Sequence, residues 1–262
     1  MMSVAGRVVP FTPAPTRTIS RNSSQLVAVP GLGAQAIQGL EATYPGTLTS
    51  EMRSLLSRTC GLTAAEFGTI DFTSRWHPEE PISVFRPCLT LAVDDEGRRW
   101  IAETSRAQGL PGPVWCVLPD PAVSVFVSDQ LDDFLSTLNE ATQRGRLYQW
   151  LRGLESDARA VWAQRRTLAQ FSYDVCREDR GLRGWLAELP FDAHIYDLRD
   201  RSAVRGWPYG LAGPEGRLYR CGRLPVFAVS NAPAASRWAN HMSRIATTAE
   251  IPSAATARAL AA

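Results

Sequence analysis

The chain predicts an α+β fold. A mainly antiparallel sheet flanked by helices comes first, and a smaller α/β extension follows it. Three observations carry this expectation. Leu40–Leu62 reads as a helix end, a proline turn, a second helix and a glycine stop. Short β-branched and aromatic runs joined by tight turns then continue to Ser128. After Gly145 the apolar period returns to that of a helix, and mixed short elements follow.

The totals set outer limits. At 262 residues and 45% hydrophobic content, the chain is long enough to bury a sizeable core. No run approaches the ~18 apolar residues that a bilayer-spanning helix needs. The first 24 residues carry arginines but no apolar stretch of secretory type, and their Pro, Thr and Ser content predicts a flexible arm. All 28 basic residues are arginine, so Schiff-base chemistry and a lysine base are excluded. Cys60, Cys88, Cys116, Cys176 and Cys221 are scattered with no CxxC pair, which predicts reduced thiols in a cytoplasmic protein and no zinc site.

The net charge of +2 is unevenly spread. Ala36–Glu140 holds 7 Arg against 15 acids, a balance of -8. Both flanks are basic. The expected organisation is an arm (1–24), an α+β domain (25–140), an α/β domain (141–250) and a loose tail (251–262).

In chain order, Gln25–Pro30 reads as a strand. Gly31 to Ala36 then formally matches the GxGxxA dinucleotide fingerprint. A Rossmann unit needs a parallel strand soon after the helix. Here a helix over Ala34–Thr43 meets Pro45-Gly46 and a second helix instead, so the glycines read as turn residues. Thr49 suits the N-cap of that second helix and Glu51 its first turn. Met52, Leu55 and Leu56 form its apolar stripe, and Gly61 reads as its stop. Ile37, Leu40 and Tyr44 form the stripe of the first helix.

Five strands follow: Phe67–Ser74, Leu89–Asp94, Arg99–Glu103, Val114–Leu118 and Ala122–Ser128. Asp94 to Gly97 reads as a hairpin turn, and Pro119-Asp120-Pro121 as another tight connection. Ser128 reads as the cap of a helix whose Leu131, Phe134, Leu135 and Leu138 share one face. Leu147, Trp150, Leu151, Leu154, Ala158, Val161 and Trp162 keep helical spacing in the next helix. A short helix over Leu182–Leu189, a strand over Ala193–Leu198, a hairpin of Arg217–Cys221 with Pro225–Ser230, and a last helix from Asn231 complete the reading.

The acidic module resembles a known family. The Tyr44-Pro45 turn and the run Leu48…Glu51-Met52-Arg53…Leu55-Leu56…Gly61-Leu62 look like the entrance of the SUKH superfamily (Smi/Knr-like domains). Leu89–Val93 with its Asp-Asp-Glu-Gly turn, the strand carrying Trp100, Pro113–Leu118 and Ser128-Asp-Gln-Leu-Asp-Asp-Phe-Leu135 follow in the family's order. Thr49 departs from the pattern, since the family usually has proline there. The resemblance covers Ala36–Asn139, about 40% of the chain. It implies a domain that binds another protein, and in bacterial members an immunity protein that neutralises a toxin delivered between cells. It brings no catalytic residues, cofactor or metal.

Three functions are therefore weighed. The first is an immunity protein whose acidic surface blocks the active site of a cognate toxin. Its expected contact residues are Trp76, Glu79, Glu80, Asp94, Asp95, Glu96, Asp129, Asp132 and Asp133, since charge of one sign steers a basic partner. The second is a non-catalytic adaptor or regulator on the same domain. The third is an enzyme centred on Asp192 and His194, whose alternating spacing puts both on one strand face. His77 and His241 lie in no ligand or triad spacing. The arginines between Arg144 and Arg183 read as a solvated face rather than a nucleic-acid site, because the surrounding acids dilute them.

Overall fold

The computed structural model describes residues 26–44, 48–64, 67–73, 82–85, 87–104, 110–165, 178–190, 192–199, 205–213 and 216–231. The fold is α+β with antiparallel sheets throughout. Strand β1 (Val27–Pro30) leads into α1 (Ala34–Thr43), then α2 (Ser50–Arg58), β2 (Thr59–Ala64) and β3 (Gly68–Asp71). These three strands form one sheet in sequence order.

Helix α2 begins where its cap chemistry directs. Thr49 is extended, and its hydroxyl accepts a hydrogen bond from the Met52 amide at 3.2 Å. Met52, Leu55 and Leu56 are buried, and Ile37, Leu40 and Tyr44 of the α1 segment pack against the same core. The helix ends at Arg58 rather than at Gly61, and the chain passes directly into β2. Gly61 serves close packing instead: a Cβ there would lie 2.3 Å from the Ile70 carbonyl oxygen. Gly31 has the same duty at the start of α1, where a Cβ would lie 2.2 Å from the Ser57 oxygen. Because β1 runs antiparallel to β2, the glycines before α1 belong to no parallel βαβ unit.

The central layer is a meander. It comprises β4 (Cys88–Val93), β5 (Arg99–Glu103), β6 (Val114–Leu118) and β7 (Val123–Ser128). The predicted strand over Phe67–Ser74 does not join it, because β3 closes the first sheet instead. Helices α3 (Leu131–Gln143) and α4 (Leu147–Gln164) follow. Ser128 is the last residue of β7, not a helix cap. Its hydroxyl donates to the Gln130 carbonyl at 2.9 Å, and the helix begins at Leu131.

All five residues of β6 are buried, so both faces of the sheet are covered. On one face Leu89, Leu91, Trp100, Cys116 and Val125 meet Met52, Phe134, Leu151, Leu154 and Ala158 from the helices. On the other, Ile101, Trp115 and Val117 meet Phe85, Phe227 and Val229. The second cover comes from the chain's end. Strand β8 (His194–Asp197), with β10 (Arg217–Arg220) and β11 (Val226–Ser230), forms a sheet of order β10-β11-β8. A two-residue strand, β9 (Gly206–Trp207), pairs with β7 and becomes the fifth strand of the central sheet.

The expected boundary at 140/141 therefore does not separate two cores. Helix α4 shares the core of the acidic module, and β9 extends its sheet. A stripe on α4 shows that the helix has a partner but not which one, and Gly-Trp is too short to carry a period. The C-terminal segment is also fastened by charge. Arg220 makes a bidentate pair with Glu103 at 2.6 and 2.9 Å. The Trp115 indole donates to the same carboxylate at 2.7 Å. The arm, the tail and the helix predicted from Asn231 lie outside the described residues.

Candidate partner-binding surface

Of the nine predicted contact residues, Trp76, Glu79 and Glu80 lie outside the described residues. The other six fall into two groups, Asp94–Glu96 and Asp129–Asp133. The strand register sets their places. Arg99 pairs with Val117 and Leu118 with Val123, so the β4–β5 turn and the β6–β7 turn share one end of the central sheet. Val114 pairs with Ser128, so the head of α3 lies at the opposite end. The five residues of β6 separate the two groups by about 16 Å at ~3.3 Å per residue.

At the first end, the hairpin is built by its own acid. The Asp94 carboxylate accepts the Glu96 amide at 3.1 Å and the Arg98 amide at 2.9 Å. Gly97 supplies the left-handed backbone, with φ +75. The other carboxylate oxygen of Asp94 takes the Arg98 guanidinium at 2.6 Å. The Asp94 side chain is only 7% exposed, so this residue is spent on the turn rather than offered to a partner. Arg98 also reaches Glu96 at 3.1 Å and Glu155 of α4 at 2.8 Å. Glu155 in turn takes Arg152 at 3.1 Å and Arg159 at 3.2 Å. Burial lowers the Arg98 pKa, but the Asp94 hydrogen bond and the neighbouring carboxylates outweigh it and raise the group above its ordinary value. Beneath this network, burial pushes the Cys116 thiol far up, which keeps it neutral. Asp95 and Glu96 remain exposed at the tip.

The second end is open. Asp129, Asp132 and Asp133 are exposed, the last two in the first turn of α3, where acids suit the helix dipole. The segment before β6 anchors this helix head. The Leu131 amide donates to the Pro111 carbonyl at 2.7 Å, and a Cβ on Gly112 would lie 2.4 Å from the Asp129 oxygen. Beside the head lies an open groove of about 500 Å³, between α2 and α3. Ser50, Glu51, Ser54 and Arg58 line it from α2, Gln130 and Asp132 from the head of α3, and Leu110 from the loop between them. The sequence links Glu51 to Asp132 by no spacing, so only the fold brings them to one groove.

Asp192 and His194 fall at one end of the β8–β11 pair. The Asp192 carboxylate accepts the Ser230 hydroxyl at 2.6 Å and the Asn231 amide at 3.0 Å, and so closes the end of β11. His194 is exposed at the first position of β8. His77 and His241 lie outside the described residues. Among the described residues, no group of three or more His, Cys, Asp or Glu is placed to hold a metal ion, and no helix is long and apolar enough to cross a membrane. Cys60, Cys116 and Cys221 are free thiols.

Comparison of the chain with protein-family models, curated proteins and solved structures returns no match.

Proposed function

We propose that the chain is a cytoplasmic immunity protein of SUKH type, which binds a basic bacterial toxin and blocks its active site without a catalytic step of its own. The observation that carries the reading is the state of the acids at the head of α3. Asp132 and Asp133 stand exposed with no ion-pair partner among the described residues, on a helix anchored by backbone hydrogen bonds and a buried apolar face. Interior charges are used differently: Arg98 with Asp94 and Glu155, and Glu103 with Arg220, hold elements together. An uncompensated acidic surface on a rigid support favours fast encounter with a basic partner.

The test is co-expression with the protein encoded beside this gene. Rescue of growth from that protein's toxicity, and a complex that survives size-exclusion chromatography, are the expected results. Continued killing and no complex would remove the immunity reading. A stable complex with a non-toxic protein would favour the adaptor reading on the same surface.

A further inference from the structure

We propose that the buried Glu103–Arg220 pair is a register lock. It fixes which residues of the β10-β11-β8 sheet meet the central sheet, a choice that the apolar pattern of these strands leaves open.

The pattern is ambiguous because both faces of this sheet are covered. All five residues of β11 are buried. Phe227 and Val229 pack with Ile101 and Trp115 of the central sheet, while Val226 and Ala228 pack with Leu182, Leu186 and Leu189 on the other side. In β10 the two apolar residues are adjacent, Leu218 on the first side and Tyr219 on the second. Side chains alternate along a strand, so a one-residue slip exchanges the two sets. Apolar burial is non-directional and accepts either set.

The charged pair accepts only one. Arg220 stands opposite Phe227, on the side of Leu218, and its Nη1 and Nη2 donate to the two Glu103 oxygens. Nη2 also donates to the Arg223 carbonyl at 3.0 Å and Nε to the Leu224 carbonyl at 3.1 Å, so the same guanidinium closes the β10–β11 turn. Its central carbon lies 5.6 Å from the Phe85 ring centre and 5.2 Å from that of Phe227. Both side chains are nearly buried, at 4% and 9% exposed. After a slip of one residue, Tyr219 or Cys221 would stand opposite Phe227, and neither is a cation. Among the described residues Glu103 would then keep only the Trp115 indole. A buried charge stripped of its partner costs far more than a pair replaced by apolar groups. The pair therefore penalises wrong registers more than it stabilises the right one.

The test replaces both groups by apolar ones in the full-length protein and reads urea denaturation together with amide chemical shifts. Two double variants are used, Glu103→Met with Arg220→Leu and Glu103→Leu with Arg220→Met, so that side-chain size is varied separately from charge. At least one is expected to keep the parent's urea midpoint or exceed it. In that variant the amides of β10 and β11, a single set in the parent, should gain a second set at roughly a tenth of the intensity or more. Each single variant should lower the midpoint, because it leaves one charge buried alone. A single, parent-like set of β10 and β11 amides in both double variants would overturn the lock, since the apolar layers would then fix the register unaided. Failure of both to fold, or midpoint losses as large as those of the single variants, would also overturn it and make the pair an ordinary source of stability. No partner enters these measurements, so the lock stands or falls apart from the binding reading.

Discussion

The two ends of the central sheet carry similar acidic sequences and use them in opposite ways. At the β4–β5 end, Asp94 turns inward, shapes the hairpin and binds Arg98, which is 9% exposed and ties the hairpin to Glu155 on α4. At the α3 end, Asp132 and Asp133 point outward beside a groove. Composition treats these acids alike. What separates them is whether the fold brings an arginine within reach. Charge that is answered inside the molecule holds it together, and charge that is not answered is available to a partner.

Removing the internal answer has the largest expected effect. Arg98→Ala leaves Asp94, nearly buried, with its turn amides but no cation. Glu155 still keeps Arg152 and Arg159, so the cost belongs to the lower part of the range for breaking a buried pair, about 3 kcal/mol. Chemical denaturation measures it. A loss below about 1 kcal/mol would place Arg98 with ordinary surface pairs and dissolve the contrast between the two ends.

A second effect belongs to the same end and is read by pH. The Tyr209 hydroxyl donates to the Leu118 carbonyl at 2.6 Å beside the β6–β7 turn, and burial pushes its pKa up to about 12. A phenol that resists ionisation when folded contributes stability that is fully present below its ordinary value near 10. That contribution is lost as pH rises from about 10 through about 12. Tyr209→Phe should flatten part of this alkaline loss. Tyr44, raised to about 12 by burial, and Tyr196, also raised by burial, retain the remainder. Identical alkaline curves for the variant and the parent would show that the Leu118 contact does not depend on this proton.

Much of the fold was legible because local signals and packing agree. The predicted bounds of α1, β5 and β6 coincide with the observed ones, and Thr49 caps α2 as its side chain suggests. The continuous apolar run of β6 is consistent with cover on both faces, since a strand buried at every position needs it. That cover lies about a hundred residues away: Phe227 falls in the predicted Pro225–Ser230 strand, but nothing local in that strand names its partner, and Trp207 is marked by no local pattern. Strand β2 was hidden because Gly61 imitates a helix stop, while its actual constraint is the Ile70 carbonyl across the sheet. The candidate surface was half legible. Every exposed acid at the head of α3 was visible in the sequence. The withdrawal of Asp94 by Arg98 was not, because a pair four residues apart in a turn looks like any other surface pair. The meeting of Glu51 with Asp132 depends on how two helices pack.

At the groove end the expected effects on stability are smaller. Thr49→Ala removes the side-chain acceptor for the Met52 amide at the head of α2, at a cost of about 1 kcal/mol. Because α2 lines the groove, the same variant sharpens the contrast through its amide chemical shifts. The disturbance should reach Ser50 and Glu51 and leave Asp95 and Glu96 unchanged. A response at the hairpin would mean that the two ends are coupled through the sheet.

The smallest effect is the most discriminating. Asp132 and Asp133 sit in the first turn of α3, where each favourable interaction with the helix dipole is worth ~0.3–1 kcal/mol at low salt. Mutual repulsion among Asp129, Asp132 and Asp133 opposes that gain. Neutralising both as asparagine should therefore cost less than about 1 kcal/mol, and the cost should vanish at high salt as screening removes both terms. Denaturation midpoints at low and high ionic strength read this directly. A loss near that of Arg98→Ala, persisting in salt, would mean that these acids are structural, and the distinction between the two ends would fail. A small, salt-sensitive change with weakened partner binding leaves them the role their exposure suggests: charge carried for a partner at little cost to the fold.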